Sequence, residues 1–289
     1  MSAKPQSFFD TFTDKEAALM ETIMAELKNV EWAPPLLREI EANGGLCGAN
    51  MARFFELRQG YALRRAGIKP SYEIAGEGDS TIDFGFTANG QAWNVEMMRL
   101  MESDAAKAAT TTEVDEHGTT WTKRILSGDN KDKKQSPEGE MLKAIERVCQ
   151  KCEKDGKPYK FPLPGTAFNA LIVDTRTFGN RGADRKDCLH IGLGATWLKP
   201  HLRLYWGEKE NRKLITGVYW PHTAMKGAKE ARERVHFIGF VNARNFTQDE
   251  HGASIEFIAN PHLLKNVRAM RAAADTWPLS SRFILNGIN

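Results

Sequence analysis

Two acids stand on either side of one tight turn. Asp83 lies in TIDFGFTA, Glu96 in QAWNVEMMRL, and Asn89-Gly90 separates the two stretches. Both turn residues tolerate positive φ, and the pair is a strong hairpin signal between extended segments. Ile82, Phe84 and Phe86 alternate with Thr81, Asp83 and Gly85, the period of a half-buried strand. A hairpin over residues 81–100 therefore sets Asp83 and Glu96 close together across the pair. Carboxylates so placed can share a divalent cation, whose chemistry is to neutralise a phosphate and acidify water. The competing reading is a pair of solvated acids on an exposed sheet face.

Other chemistry is less well provided for. Cys149-Gln-Lys-Cys152, with Cys188 and His190 downstream, has the donor types of a zinc site, but the first two cysteines fall on the apolar side of an amphipathic helix. Gly192-Leu-Gly194 lacks the third glycine of a dinucleotide fingerprint, and the chain has no P-loop, nucleophile elbow or HExxH. Basic residues cluster in three places. Lys131, Lys133 and Lys134 stand in SGDNKDKKQ, and Arg176, Arg181, Arg185 and Lys186 follow ALIVDT. Lys226, Lys229 and Arg232 recur at spacings that share one helix face, balanced by Glu230 and Glu233. Such stripes neutralise phosphates, so nucleic acid, DNA before RNA, is the expected partner.

The elements that must position these groups follow from periodicity. Helices are expected over residues 14–30, 36–42 and 49–66, the last with Met51, Phe54, Phe55, Leu57, Tyr61 and Leu63 on its apolar face and Glu56 in the same turns. A strand over 71–75 precedes the hairpin. Residues 101–137 are polar and aperiodic and read as loop. Pro137 opens a helix running to about 153 on a stripe of Met141, Leu142, Ile145, Val148, Cys149 and Cys152. Residues 156–165 read as a connector and 170–175 as a buried strand. A polar loop over 178–187, strands over 202–206, 214–220, 236–242 and 255–259, and helices over 224–235 and 261–273 complete the chain. The order predicts a mixed α/β sheet with helices on its faces, residues 1–47 forming a helical lead-in to a domain over 48–289.

Composition sets bounds around this. A chain of 289 residues with a net charge of +3 is long enough for a sizeable core and permits, without demanding, a polyanionic partner. Four cysteines are too few for a disulfide framework at this length. No apolar run approaches a membrane span and MSAKPQSFFD has no signal-peptide core, so a cytoplasmic protein without membrane contact is expected. A homodimer or a partner subunit is left open.

The pieces FFELRQGYALRRAG, STIDFGF, WNVEMM, the helix over 138–153 and the strand ALIVDT together resemble the PD-(D/E)XK, or restriction-endonuclease-like, nuclease core. In that family a helix with a glutamate precedes a hairpin bearing an Asp and then Glu-x-Lys, followed by a helix and another core strand. The resemblance covers about residues 48–178. It implies Mg²⁺-dependent hydrolysis of phosphodiesters, with Mn²⁺ as the alternative ion. Asp83 and Glu96 would be the direct ligands, the carbonyl of Met97 a third, and Glu56 would complete the site or hold a water on the ion. The family lysine falls on Met98, whose thioether carries no charge. Arg99 points to the opposite face of an extended strand. Other members recruit the cation from the following helix, which here offers Lys143, Gln150 and Lys151; Lys151 and Gln150 lie at the edge of the apolar stripe, and Lys151 is taken as the substitute. If no cation reaches the site, the alternative is an inactive nucleic-acid-binding or assembly module that keeps the fold.

Overall fold

Apolar residues sort onto the two faces of one sheet in a computed structural model of the chain. The structure describes residues 12–125, 136–178, 182–194, 200, 203–207, 210–242 and 254–284. Three helices come first: α1 (Asp14–Leu27), α2 (Pro34–Ala42) and α3 (Met51–Arg65). Thr13 and Glu16 cap α1 reciprocally, each side chain accepting from the other's backbone N–H, at 3.2 and 3.0 Å. Pro34 and Pro35 open α2 rather than only ending the helix before it, because a first-turn N–H has no intrahelical partner to lose.

The strands β1 (Ser71–Ala75), β2 (Thr81–Ala88) and β3 (Gln91–Arg99) form an antiparallel meander. Asn89 (φ 49°) and Gly90 (φ 78°) make the turn between the last two. Next come α4 (Asp104–Ala108) and a ribbon of β4 (Thr110–Val114) and β5 (Thr120–Arg124), in a stretch whose composition predicted loop. Across that ribbon Arg124 Nε donates to Thr110 Oγ1 at 3.0 Å, and since most of its side chains are exposed it has no apolar face to give a periodic signal. Ser136 caps α5 (Pro137–Gln150). A small hairpin of β6 (Glu153–Lys154) and β7 (Lys157–Pro158) follows, then β8 (Ala167–Asp174).

Beyond β8 the chain gives α6 (Arg185–Gly192), the short pair β9 (Tyr205–Trp206) and β10 (Lys213–Leu214), α7 (Ala228–Arg234), β11 (Phe237–Val241), β12 (Ile255–Ala259), α8 (Val267–Ala274) and β13 (Ser281–Ile284). Helix α6 begins inside the expected loop because Asp184 and Asp187 form a capping box. The expected strand over 214–220 stops at Leu214. Val218 and Tyr219 are buried as a loop instead, their N–H groups bonded to Ile191 and Gly192 at 2.8 and 2.9 Å. Apolar content there marked burial, not extension.

Seven strands make one mixed sheet in the order β1-β2-β3-β8-β11-β12-β13. β8 lies parallel to both β3 and β11, and β13 parallel to β12. One face carries α1, α2, α3 and α8 over Phe84, Trp93, Val95, Ala170 and Phe237; the other carries α5, α6 and α7 over Met98, Leu171, Val173 and Ile238. Helices therefore cover both sides of the sheet, and the first two helices share a core with it. None of the described helices is long and apolar enough to cross a membrane.

Arg176, expected in a phosphate-binding loop, is instead buried. Its guanidinium donates to both Glu16 oxygens, from Nη2 at 3.0 Å, and so joins α1 to the end of β8. Removing one partner strands the other charge in a dry site. Arg176→Ala is expected to lose about 3 kcal/mol of unfolding free energy in urea titration, within the range for broken buried pairs. A loss below about 1 kcal/mol, the size of a surface pair, would refute the pair's structural role.

Candidate active site

The backbone ladder between β2 and β3 ends at Phe84–Val95. Asp83 and Glu96 come next, and there the two strands part. At the same level β2 changes face. Ile82 packs into the core beneath α5, whereas Phe84 and Phe86 pack beneath α3, so the expected alternation of Ile82 with the two phenylalanines is interrupted at Asp83. β1 follows the bend: Glu73, between the pairs Tyr72–Phe84 and Ile74–Ile82, has φ 52°. A positive φ at a non-glycine residue is uncommon and reverses the side-chain sequence locally.

Side chains take over where the ladder stops. The Met97 N–H donates to Asp83 Oδ2 at 2.6 Å, and the Asp83 N–H reaches Glu96 Oε2 at 3.3 Å. Glu96 has no solvent exposure, and its Oε1 accepts from two ammonium groups, Lys151 at 2.7 Å and Lys160 at 3.0 Å. Lys160 Nζ also donates to the Thr81 carbonyl at 2.7 Å. From the other face of the sheet α3 supplies Glu56. Its carboxylate accepts from the Tyr72 hydroxyl at 2.7 Å and from Arg53 at 2.8 Å, and Arg53 continues to Glu39 at 2.6 Å.

The electrostatics tie these groups into one cluster. Burial, then the charges of Glu96 and Glu56, push the Asp83 carboxyl well above the usual aspartate range; the Met97 N–H and Lys151 pull it back only in part. Burial likewise raises Glu56, against the hydrogen bonds of Tyr72 and Arg53, and Glu96 adds to the rise. Burial alone would lower the Lys151 ammonium, yet Glu96, Asp83 and Glu56 outweigh it and hold Lys151 above its usual value. Two buried carboxyls raised by burial and by neighbouring charge, beside a lysine that those charges hold protonated, mark Asp83 and Glu56 as candidates for a functional site.

The structure thus brings Glu56, Asp83, Glu96 and Lys151 together. Lys151 is the residue that ends α5, not a residue within it. Lys160 was not anticipated. Its signal was Asp155-Gly156: a two-residue turn there folds the chain back toward the end of α5, and Lys160, bridged to Glu77, meets the same Glu96 oxygen as Lys151. Met98 is buried in the core beneath α5, and Arg99 pairs with Asp174 at 3.1 Å instead of facing the cluster. Gln150 bonds Glu146 and Lys143 bonds Glu140, each on α5 itself. Cys149, Cys152 and Cys188 are free, buried thiols, and burial raises all three above the usual thiol range.

The remote basic residues that the structure describes have other surroundings. Lys131, Lys133, Lys134 and Arg181 lie outside the described residues. Arg185 is exposed in the first turn of α6. Lys226 precedes α7 and pairs with Glu153 at 3.1 Å, so the three-residue stripe with Lys229 and Arg232 is not formed as one helix face. Lys229 lies 4.0 Å from Glu233.

Among the described residues, no group of three or more His, Cys, Asp or Glu is arranged to hold a metal ion. The reason is local: two lysines face Glu96 Oε1, the Met97 N–H faces Asp83 Oδ2, and Glu56 is held by Tyr72 and Arg53. Comparison of the chain with models of known families, with curated proteins and with solved structures gave no match.

The Asp83 shift makes a stability prediction. A folded-state pKa above the unfolded one means that the native state holds the proton more tightly. That contribution is complete below the ordinary aspartate range and is lost as pH rises through the elevated value. Above the ordinary aspartate range the parent therefore loses stability that an uncharged side chain at this position keeps. Asp83→Asn should unfold at higher urea than the parent at pH 7–8, and the gap should close below the ordinary aspartate range. A gap that is absent, or independent of pH, would contradict the cluster electrostatics.

Proposed function

We propose that the chain is a metal-dependent nuclease of the restriction-endonuclease-like kind, hydrolysing phosphodiester bonds in DNA. The observation that carries the reading is the meeting of Glu56, Asp83 and Glu96 with two lysines where β2 and β3 part, where burial and then the charges of Glu96 and Glu56 raise the Asp83 carboxyl above its usual range. The element order supports it: a helix with Glu56, a hairpin with Asp83 and Glu96, a helix ending on Lys151, and a parallel core strand.

The donor set suits a hard cation. Asp83 and Glu96 offer carboxylate oxygens, and extended geometry sends the Met97 carbonyl to the same edge as its N–H, toward Asp83. All-oxygen sets of this kind select Mg²⁺ or Mn²⁺ over softer ions. Such an ion would supply Lewis-acid polarisation of the phosphoryl oxygen and a more acidic attacking water. The protein's own residues do the rest. Asp83 and Glu96 would hold the ion, and Lys151 and Lys160, which stand at Glu96 Oε1, would be the cations available to the negative charge that develops on the phosphate. Glu56, fixed by Tyr72 and Arg53, orients the attacking water and accepts its proton, a task its raised pKa suits. Met98 takes no part.

One observation favours a second reading. Glu96 is fully buried and already compensated by two lysines, the arrangement of a structural ion cluster in a module that binds nucleic acid without cutting it.

Two measurements decide between them. Asp83→Ala and Glu96→Ala should each lower cleavage of a DNA duplex by roughly 10²–10³-fold or more while duplex affinity in chelator is kept. Mg²⁺ should raise the parent's melting temperature in a concentration-dependent way and leave that of Asp83→Ala unchanged. Salt-dependent DNA binding with neither cleavage nor a Mg²⁺ shift would establish the second reading instead.

A further inference from the structure

The hairpin β6–β7 joins the two lysines of the cluster and carries more of its own. Lys151, Lys154, Lys157 and Lys160 recur at every third position, with Tyr159 beside the last. Asp155 (φ 53°) and Gly156 (φ 78°) form the turn, both with the left-handed backbone of the tight hairpin type. The register pairs Lys154 with Lys157, and Tyr159 N–H bonds the Cys152 carbonyl at 2.9 Å. Alternation then puts Lys154, Lys157 and Tyr159 on one face of the hairpin.

That face is built against itself. Like charges directly opposite across a strand pair are destabilising, and both ammonium groups are exposed. Among the described residues neither has an acidic partner. The acid of the hairpin's first strand, Glu153, is already engaged by Lys226 at 3.1 Å and by the Gly156 N–H at 2.7 Å. Lys154 and Lys160 both lie over the Tyr159 ring, at 5.5 and 5.6 Å, so one aromatic side chain links the unpaired face to the lysine on Glu96.

We infer that the hairpin face of Lys154, Lys157 and Tyr159 is the phosphate-backbone contact for the DNA strand that passes the carboxylate cluster. This rests on the nuclease reading for the direction of the strand. The charge argument is its own: a polyanion relieves the opposed ammonium pair, and the patch is continuous through Tyr159 with Lys160, which stands beside Lys151 on Glu96 Oε1. Charge tells against the pocket of about 450 Å³ beside α5 as a strand path, since Glu102, Asp104, Glu140 and Glu146 outnumber Lys143 and Arg147 in its lining.

The test is equilibrium binding of two duplexes of unrelated sequence to the full chain in chelator, across a salt series. Lys154→Gln/Lys157→Gln should bind both duplexes more weakly and equally so, with a log–log salt slope shallower by about 1.8, two contacts at 0.9 each. Lys154→Arg/Lys157→Arg should keep the parent slope. Lys15→Gln/Lys28→Gln removes the same charge from exposed positions on and just after α1 and should leave the slope unchanged. A hairpin variant that matches this control overturns the contact and leaves the cleavage reading standing. A reduced slope in a protein that never cleaves upholds the contact and removes the cleavage reading. A parent chain without salt-dependent binding overturns the contact outright.

Discussion

The parting of β2 and β3 after Phe84–Val95 is the constraint from which the candidate site follows. Strands that separate inside a covered sheet leave backbone groups without partners, and a buried unpaired N–H is expensive. Here the Asp83 carboxylate receives the Met97 N–H, and the Glu96 carboxylate receives the Asp83 N–H. Acids in these positions therefore complete the sheet as well as collect charge. Replacing them by apolar residues would relieve the repulsion and reopen the ladder at once, so the site cannot be exchanged for ordinary core without reshaping the bend at Glu73 and Asp83.

Once two carboxylates lie between the strands, cations must come to them. The sheet cannot supply one: Met98 is the next residue on the same face as Glu96, and it sits in an apolar layer with Leu171, Val173 and Ile145. The cations arrive from the end of α5 and the hairpin that follows. α5 is anchored through Val148, Cys149 and Cys152, all fully buried. The cysteines thus act as small packing groups whose placement sets Lys151 over Glu96. The hairpin register then sets Lys160 beside it.

The sheet strands and the helices with a clear apolar stripe were legible, because periodicity reports which face is buried. Glu56, Asp83, Glu96 and Lys151 were legible for a related reason: each lies in or at the end of an element of that kind. The rest was hidden where burial and periodicity part company. The β4–β5 ribbon buries almost nothing, so it left no pattern. Val218 and Tyr219 are fully buried without being extended. Arg176 looked like surface charge, since nothing in its neighbourhood reveals a partner as distant in sequence as Glu16. The face change between Ile82 and Phe84 is matched on β1 by a positive φ at Glu73, a residue whose type gives no warning of it.

Lys160 shows what a local signal can carry when its geometry is followed through. Asp155-Gly156 is as good a hairpin signal as Asn89-Gly90, but it is flanked by lysines instead of alternating apolar residues, and so reads as solvated chain. Turn geometry sets register whatever the strands contain. Counting outward from Asp155-Gly156 pairs 154 with 157 and 153 with 158, the Tyr159 N–H then bonds the Cys152 carbonyl, and the backbone of the next residue, Lys160, bridges to Glu77. The two hairpins of the site are thus related in logic: one tight turn brings two acids together, the other brings two bases, and the buried carboxylate of Glu96 is where the two meet. A cation carried on a hairpin keeps more solvent access than one rising from the sheet, as the side-chain exposures of 32% at Lys151 and 13% at Lys160 show beside 8% for the whole of Met98. Both lysines thus reach the buried carboxylate of Glu96 from partly exposed positions, without an apolar layer between them and solvent.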